Sequence, residues 1–150
     1  MLVFKNYHFD QLNKISLYEM LKLRSEVFIL EQNCIYLDLD GFDLNSVHVL
    51  AFSGSNIVGS SRIIKKGYNY KNYSSIGRLV LKKEYRGLGN GANLMKYSID
   101  TCMSIYPSDI IKISAQCYLK KFYENLGFIK KGKNYLEDGI EHCSMLYVNK

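Results

Sequence analysis

Between residues 75 and 103 the chain reads strand, glycine loop, helix, and the loop is Arg86-Gly87-Leu88-Gly89-Asn90-Gly91. The strand, residues 76–81, is short, apolar and partly β-branched, bounded by serines before and by Lys82-Lys83-Glu84 after. The helix carries Leu94, Met95, Ile99 and Met103 on one face, at intervals close to a turn. A helix start leaves backbone N–H groups without partners, and the helix dipole adds partial positive charge there. Glycines at that start let the backbone turn tightly and approach a ligand, so the N–H groups converge on phosphate oxygens. Arg86 adds a cation with a planar donor fork suited to phosphate. The segment reads as an anion site of the diphosphate kind.

Three phosphate-loop patterns compete for it. A Walker A loop ends Gly-Lys-Ser/Thr, and no such ending follows Gly91. The Rossmann fingerprint is met in its degenerate form by Gly87, Gly89 and Ala92, but it wants an acidic residue at the tip of the next strand. That strand, residues 110–116, ends on Gln116, and too little chain follows for further βα units. The third pattern, Arg/Gln-x-x-Gly-x-Gly/Ala, is matched by Arg86, Gly89 and Gly91, and it resembles the pyrophosphate loop of the GNAT superfamily of acyl-CoA N-acyltransferases. A helix-capping turn without a ligand would use the same glycines, so the rest of the chain has to decide.

A chain of 150 residues can bury one core, and residues 1–150 are expected to form a single domain. Nearly half the residues are apolar, yet no run approaches the roughly 20 residues of a membrane span. Residues 1–7 read as a first strand, not a leader, which points to a cytoplasmic protein without membrane attachment. Cys34, Cys102, Cys117 and Cys143 are scattered, with no C-x-x-C pair, so no metal site is expected and the thiols should stay reduced. The net charge of +6 and the run of lysines and tyrosines over residues 65–73 raise nucleic acid as a partner. No nucleic-acid fold signature accompanies that run, and its Gly67 and asparagines suit a solvated connection, so no nucleic acid is expected.

In chain order, Ser16 with Glu19 predicts a capping box, and Leu17, Met20, Leu21, Val27 and Phe28 recur at helical spacing to about Gln32. Residues 38–46 read as polar loop. Residues 47–52 and 57–64 are strands around the hairpin sequence Ser53-Gly54-Ser55-Asn56. Pro107, the only proline, ends the next helix at about Tyr106. After the strand to Gln116, a short helix runs through Leu119, Phe122, Tyr123 and Leu126 and closes at Gly127. Strands at 128–130 and 143–148 finish the chain. The order β-α-β-β-β-α-β-α-β-β predicts an α+β fold, a mixed, mostly antiparallel sheet with helices on both faces.

That order is also what the GNAT fold implies. Leu21-Lys22-Leu23-Arg24 with Val27-Phe28 and Glu31-Gln32 resembles the first helix of the ElaA-type branch of the superfamily. Asp40-Gly41 before His48, Ala115-Gln116 with Phe122-Tyr123-Glu124 and Gly127-Phe128, and residues 135–142 with Met145 resemble further blocks of that branch, in the same order. The resemblance implies an acyl-CoA-dependent N-acyltransferase that moves acetyl from acetyl-CoA to a primary amine, small or peptidyl, by direct attack. It admits a homodimer. A non-catalytic CoA-binding module and a Rossmann-like nucleotide-binding protein are the alternatives.

What the resemblance implies for residues follows from the same blocks. A splayed strand pair would hold CoA, with the backbone of Leu79, Val80 and Leu81 on the pantetheine arm and thioester. Arg86, Gly87, Leu88, Gly89, Asn90, Gly91 and Ala92 would take the diphosphate, and Gln116 would lie nearby. Leu88 and Asn90 stand where the family often has a base, which leaves Arg86 as the loop's cation, and Cys117-Tyr118 is bulkier than usual. Tyr123 would protonate the leaving thiolate, being a phenol of ordinary pKa about 10 whose titration would show as an alkaline limb. Glu31, Glu137, Asp138, His48 and His142 are the candidates for general base, with Glu31 and His142 foremost. Each has a plainer reading: Glu31 as partner of Arg24, His48 bonded across to Asp43, His142 as a structural imidazole.

Overall fold

Val49, Leu50 and Ala51 are consecutive and all fully buried, which a strand achieves only when both faces of its sheet are covered. The computed structural model, which describes residues 1–149, shows what covers them. Helix α1 (Lys14–Arg24) sets Met20 against Leu50 and Ile57 on one face. Helix α2 (Asn90–Ile105) sets Leu94, Met95, Ile99 and Cys102 against Val49 and Ala51 on the other. The strands are β1 (Val3–His8), β2 (Val47–Ser53), β3 (Asn56–Ile64), β4 (Ser74–Leu81), β5 (Ile110–Gln116), β6 (Ile129–Glu137) and β7 (Ile140–Val148). They form one seven-stranded sheet in the order β1-β2-β3-β4-β5-β7-β6. Only β4 and β5 run parallel, so the sheet is mixed and mostly antiparallel, as the element order predicts. That pattern overturns the Rossmann-like alternative, which requires a doubly wound parallel sheet.

Several local expectations are corrected. The first helix is capped by Asn13, whose side chain accepts from the Ser16 N–H at 2.8 Å, and not by Ser16 with Glu19. Asn13 stands three residues before Ser16, so the helix begins a turn earlier than expected and Ser16 falls inside it, at the third helical position. After Arg24 the helix widens into a π-helix, Ser25–Glu31, in which Gln32 N–H bonds the Val27 carbonyl at 3.0 Å. The last two strands are far longer than residues 128–130 and 143–148. Strand β6 is almost wholly exposed at the sheet's edge, so Lys131-Gly132-Lys133-Asn134 reads like a turn while serving as edge protection. Gly132 has φ +78° where the register with β7 slips. A short helix α3 (Lys120–Glu124) follows a 3-10 turn, Cys117–Leu119, and Gly127 ends it with φ +102°. In the 65–73 connection, the Lys112 ammonium lies over the rings of Tyr70 and Tyr73, at 4.6 and 5.5 Å. Among the described residues no helix is long and apolar enough to cross a membrane.

Gly59 is required by close approach. A Cβ there would stand 2.9 Å from the Val80 carbonyl oxygen and 2.7 Å from a Leu81 methyl. The backbone contact cannot move without shifting β4. Gly59→Ala is therefore expected to destabilise the protein by about 1–3 kcal/mol in urea unfolding, the usual cost of overpacking.

Candidate active site

β4 and β5 pair only at Ser74↔Ile111 and Ser75↔Lys112. Beyond that point β5 stays zipped to β7 along its whole length, while β4 stays with β3. The edge of β4 from Ile76 to Leu81 that would face β5 therefore has no strand partner. Between the two strands lies a cleft of about 330 Å³, walled by Ile76–Leu81 on one side and by Ile113, Ser114 and Gln116 on the other. Val27 and Phe28 of the π-helix, Tyr123 of α3 and His142 of β7 are among the other residues that line it.

A bulge in β4 shapes the cleft. Ser60 pairs with Val80 and Arg62 with Gly77, so Arg78 and Leu79 stand opposite Ser61 alone. Arg78 carries φ +50°, a left-handed conformation unusual for any residue with a Cβ. The extra residue changes the parity of the strand. Ile76 and Leu81, five apart, pack into the same core as α2, while Val80 packs with Leu23 and Val27 on the opposite face. Alternation without a bulge would put Ile76 and Val80 together.

The glycine loop sits where β4 runs out. Gly87 and Gly89 have φ +78° and +80°, and a Cβ on either would meet nothing within 4 Å. Gly89 is the N-cap of α2, and Asn93 is the first residue to bond back to it, at 3.1 Å. The N–H groups of Asn90, Gly91 and Ala92 are left over, and those of Gly87, Leu88 and Gly89 have no backbone partner among the described residues. The Asn90 side chain donates to the Tyr85 carbonyl at 2.9 Å and fastens the turn. Of residues 86–92 only Arg86 lines the cleft. Its guanidinium is already committed: Nε donates to the Leu81 carbonyl at 3.0 Å, and Nη1 and Nη2 grip Glu31 at 2.6 and 3.1 Å. The Glu31–Arg24 pairing expected from the sequence is not made. The Arg86 hydrogen bond holds the Glu31 carboxyl below its ordinary range, which weakens it as a base.

Tyr123 is buried, with its ring edge-on to Phe122 and Phe128 at 5.0 and 5.8 Å. Burial pushes its phenol up to about 12. No hydrogen bond to its hydroxyl is seen among the described residues, and the oxygen is not one of the enclosed atoms left without a partner, so it opens on the cleft that Tyr123 lines. Across the cleft, His142 Nδ1 lies 2.7 Å from the Ile140 carbonyl, so Nδ1 carries the hydrogen and Nε2 is left for other work. That Nε2 is 3.4 Å from Glu137, whose carboxylate also accepts from Ser114 at 3.2 Å, and Tyr135 stacks on the imidazole. Asp138 lines the same wall, at the hairpin turn. His48 lies outside the cleft lining. It is fully buried, and it bonds the Asp43 carbonyl through Nε2 at 2.9 Å.

One constellation escapes sequence reading. Residues 38–46, read as polar loop, carry Asp38, Asp40 and Asp43 inward to three arginines. Arg24 donates to Asp38 at 2.9 Å and to Asp43 at 2.7 and 3.1 Å. Arg62 reaches Asp40 at 2.8 and 2.9 Å and Asp43 at 3.2 Å. Arg78 reaches the Asp38 carbonyl at 3.0 Å and Asp40 at 3.2 Å, and its Nε makes an ion contact with Asp38 at 2.7 Å without hydrogen-bond geometry. The only signal was negative: three arginines at positions that periodicity assigns to buried faces, with three aspartates close together in one loop.

A family model described as an acetyltransferase (GNAT) domain matches residues 11–148. The chain is 35% identical over 147 residues to the protein ElaA of Escherichia coli, covering 97% of this chain and 95% of that protein. The crystal structure of E. coli ElaA superposes with a TM-score of 0.91 at 34% identity, covering 98% and 99% of the two chains. An acyl-CoA N-acyltransferase from Pseudomonas aeruginosa superposes with a TM-score of 0.93 at 31% identity, covering 99% and 100%. By this match, by its parted strands and by its glycine-capped helix, the chain belongs to the GNAT family of acyltransferases, in the branch that includes ElaA.

Proposed function

We propose that this protein transfers an acetyl group from acetyl-CoA to a primary amine in the cytoplasm. The observation that carries the reading is the unpaired edge of β4 along the cleft. A free strand edge offers alternating N–H and C=O groups to an extended amide chain, and pantetheine is such a chain. Leu79, Val80 and Leu81 would bind it through their backbones, one N–H polarising the thioester carbonyl. The diphosphate would take the orphan N–H groups of Gly87 to Ala92, with Gln116 on the far wall. Since Glu31 and the Leu81 carbonyl hold Arg86, its part is to brace the end of β4 against the π-helix as much as to attract phosphate. Tyr123 would hold the proton destined for the leaving thiolate. His142, with Nε2 free to accept and Glu137 beside it, is better placed than Glu31 to take a proton from the amine.

Titration calorimetry with CoA, acetyl-CoA and NAD, followed by thiol-release assays on a panel of small and peptidyl amines, tests this reading. Binding of acetyl-CoA with turnover of at least one amine supports it. NAD binding without CoA binding overturns it, and CoA binding without turnover on any amine leaves only the non-catalytic module. Gly89→Val is expected to abolish CoA binding in a domain that still folds. Its φ of +80° is strained for any β-branched residue, and the added side chain would enter the open space in front of the orphan N–H groups. Unchanged CoA affinity in a folded variant would place the diphosphate elsewhere.

A further inference from the structure

Arg78 is an odd choice for its backbone. It takes φ +50° in the middle of a strand, while Gly77 beside it does not use a positive φ. A conformation like this persists in a residue with a Cβ only where its surroundings over-determine it. What surrounds Arg78 is the ion cluster: Asp38 and Asp40 contact its guanidinium, the Asp38 carbonyl accepts from it, and the Tyr36 ring lies 5.7 Å away. Asp38, Asp40 and Asp43 are themselves fixed by Arg24 and Arg62, which come from α1 and β3. The anchor is therefore rigid, and it pulls on one residue of β4.

We propose that Arg78 is a positioning residue: its pairing with Asp38 and Asp40 holds the left-handed backbone that makes the β4 bulge, and the bulge aims the Leu79–Leu81 backbone into the cleft. The inference rests on the function proposed above. Its physical basis is parity. In a strand the N–H groups alternate between the two edges as side chains alternate between faces. The extra residue at Arg78–Leu79 is what puts Val80 opposite Ser60 and Leu81 opposite Gly59, and so decides which amides face β3 and which face the cleft. Were the bulge to relax, Val80 and Leu81 would exchange faces, with Val80 leaving Leu23 and Val27. The cluster then has work beyond stability, although it touches neither the glycine loop nor Tyr123.

Two substitutions at one position separate backbone from side chain. Both Arg78→Ala and Arg78→Gly delete the ion pairs, but only glycine adopts positive φ without penalty. Arg78→Ala is expected to weaken acetyl-CoA binding and lower kcat/KM by about 30-fold or more, and Arg78→Gly to recover at least about tenfold of that loss despite melting below wild type. Equal kinetics in the two variants would show that the side chain acts directly, and wild-type constants in both, with only lower melting temperatures, would make the cluster purely structural. Either result overturns the proposal. Should Arg78→Ala not fold, Asp40→Asn replaces it: its effect on kcat/KM should shrink severalfold in the Arg78→Gly background, and a persisting effect counts against the anchor. Amide chemical shifts of residues 59, 60, 80 and 81 in the ligand-free protein read the bulge without CoA. Arg78→Gly should keep them near wild type and Arg78→Ala or Asp40→Asn should move them; no movement overturns the proposal, even if the acetyltransferase reading fails on its own titrations.

Discussion

Tyr123→Phe is expected to lower kcat by about 10²-fold or more, within the range of general acid catalysis, and to leave the Kd for acetyl-CoA nearly unchanged. The ring is buried at the wall of the cleft and burial pushes the phenol up to about 12, so it holds its proton across the whole neutral range. Against an ordinary thiol near 8.5 the transfer would run uphill. A thiolate expelled into the same cleft is raised by the same desolvation, which brings donor and acceptor back toward each other. Because Phe fills the same space and the hydroxyl opens on the cleft, stability should change by less than about 1 kcal/mol. The raised value also moves the expected alkaline limb. A phenol at 10 would bend the rate profile near pH 10; at about 12 the proton stays on, and Tyr123 leaves no limb below roughly pH 11. Full activity in Tyr123→Phe would mean that water supplies the proton. A large loss of stability without loss of rate would make the residue a core tyrosine.

The strand, glycine loop and helix were legible because their signals are local. Residues 76–81 are a short, mostly apolar run with β-branched Ile76 and Val80, Gly87 and Gly89 demand positive φ, and Leu94, Met95 and Ile99 repeat with the helical period. The parting of β4 from β5 was legible only through family resemblance, since no residue pattern says where two parallel strands cease to pair. The bulge was hidden for a sharper reason. Gly77, the strand's own glycine, takes no positive φ, and the structure bends at Arg78, because an arginine held by two aspartates can do what local propensity disfavours. Likewise Glu31 near a helix end invited a partner in its own helix, Arg24. That arginine was already taken by Asp38 and Asp43, which lie beyond the reach of any periodicity, and Glu31 crosses to Arg86 instead.

Arg24→Ala is expected to be the most damaging single change for stability, costing about 3–5 kcal/mol in urea unfolding and lowering Tm by roughly 10 °C. Arg24 is 1% exposed and serves two carboxylates at once, with a bidentate grip on Asp43. Removing it leaves Asp43 to Arg62 and Asp38 to Arg78, each already shared with Asp40, and strands negative charge where Asp38 and Asp43 are largely shut off from water. The cost is that of an uncompensated charge, larger than the value of the ion pair itself. Burial works to raise the carboxyls of Asp40 and Asp43, but the arginines outweigh it and hold both below the ordinary carboxylate range. Groups depressed in the folded state contribute stability above their unfolded value near 3.9, and lose it as pH falls through the folded values. The wild type should therefore lose stability steeply below about pH 4, and Arg24→Ala less steeply, so their unfolding free energies converge in acid. Arg24→Lys keeps the charge and loses the fork, and should fall between the two. Parallel curves over the whole pH range would mean that Arg24 stabilises through packing of its stem and not through its charge.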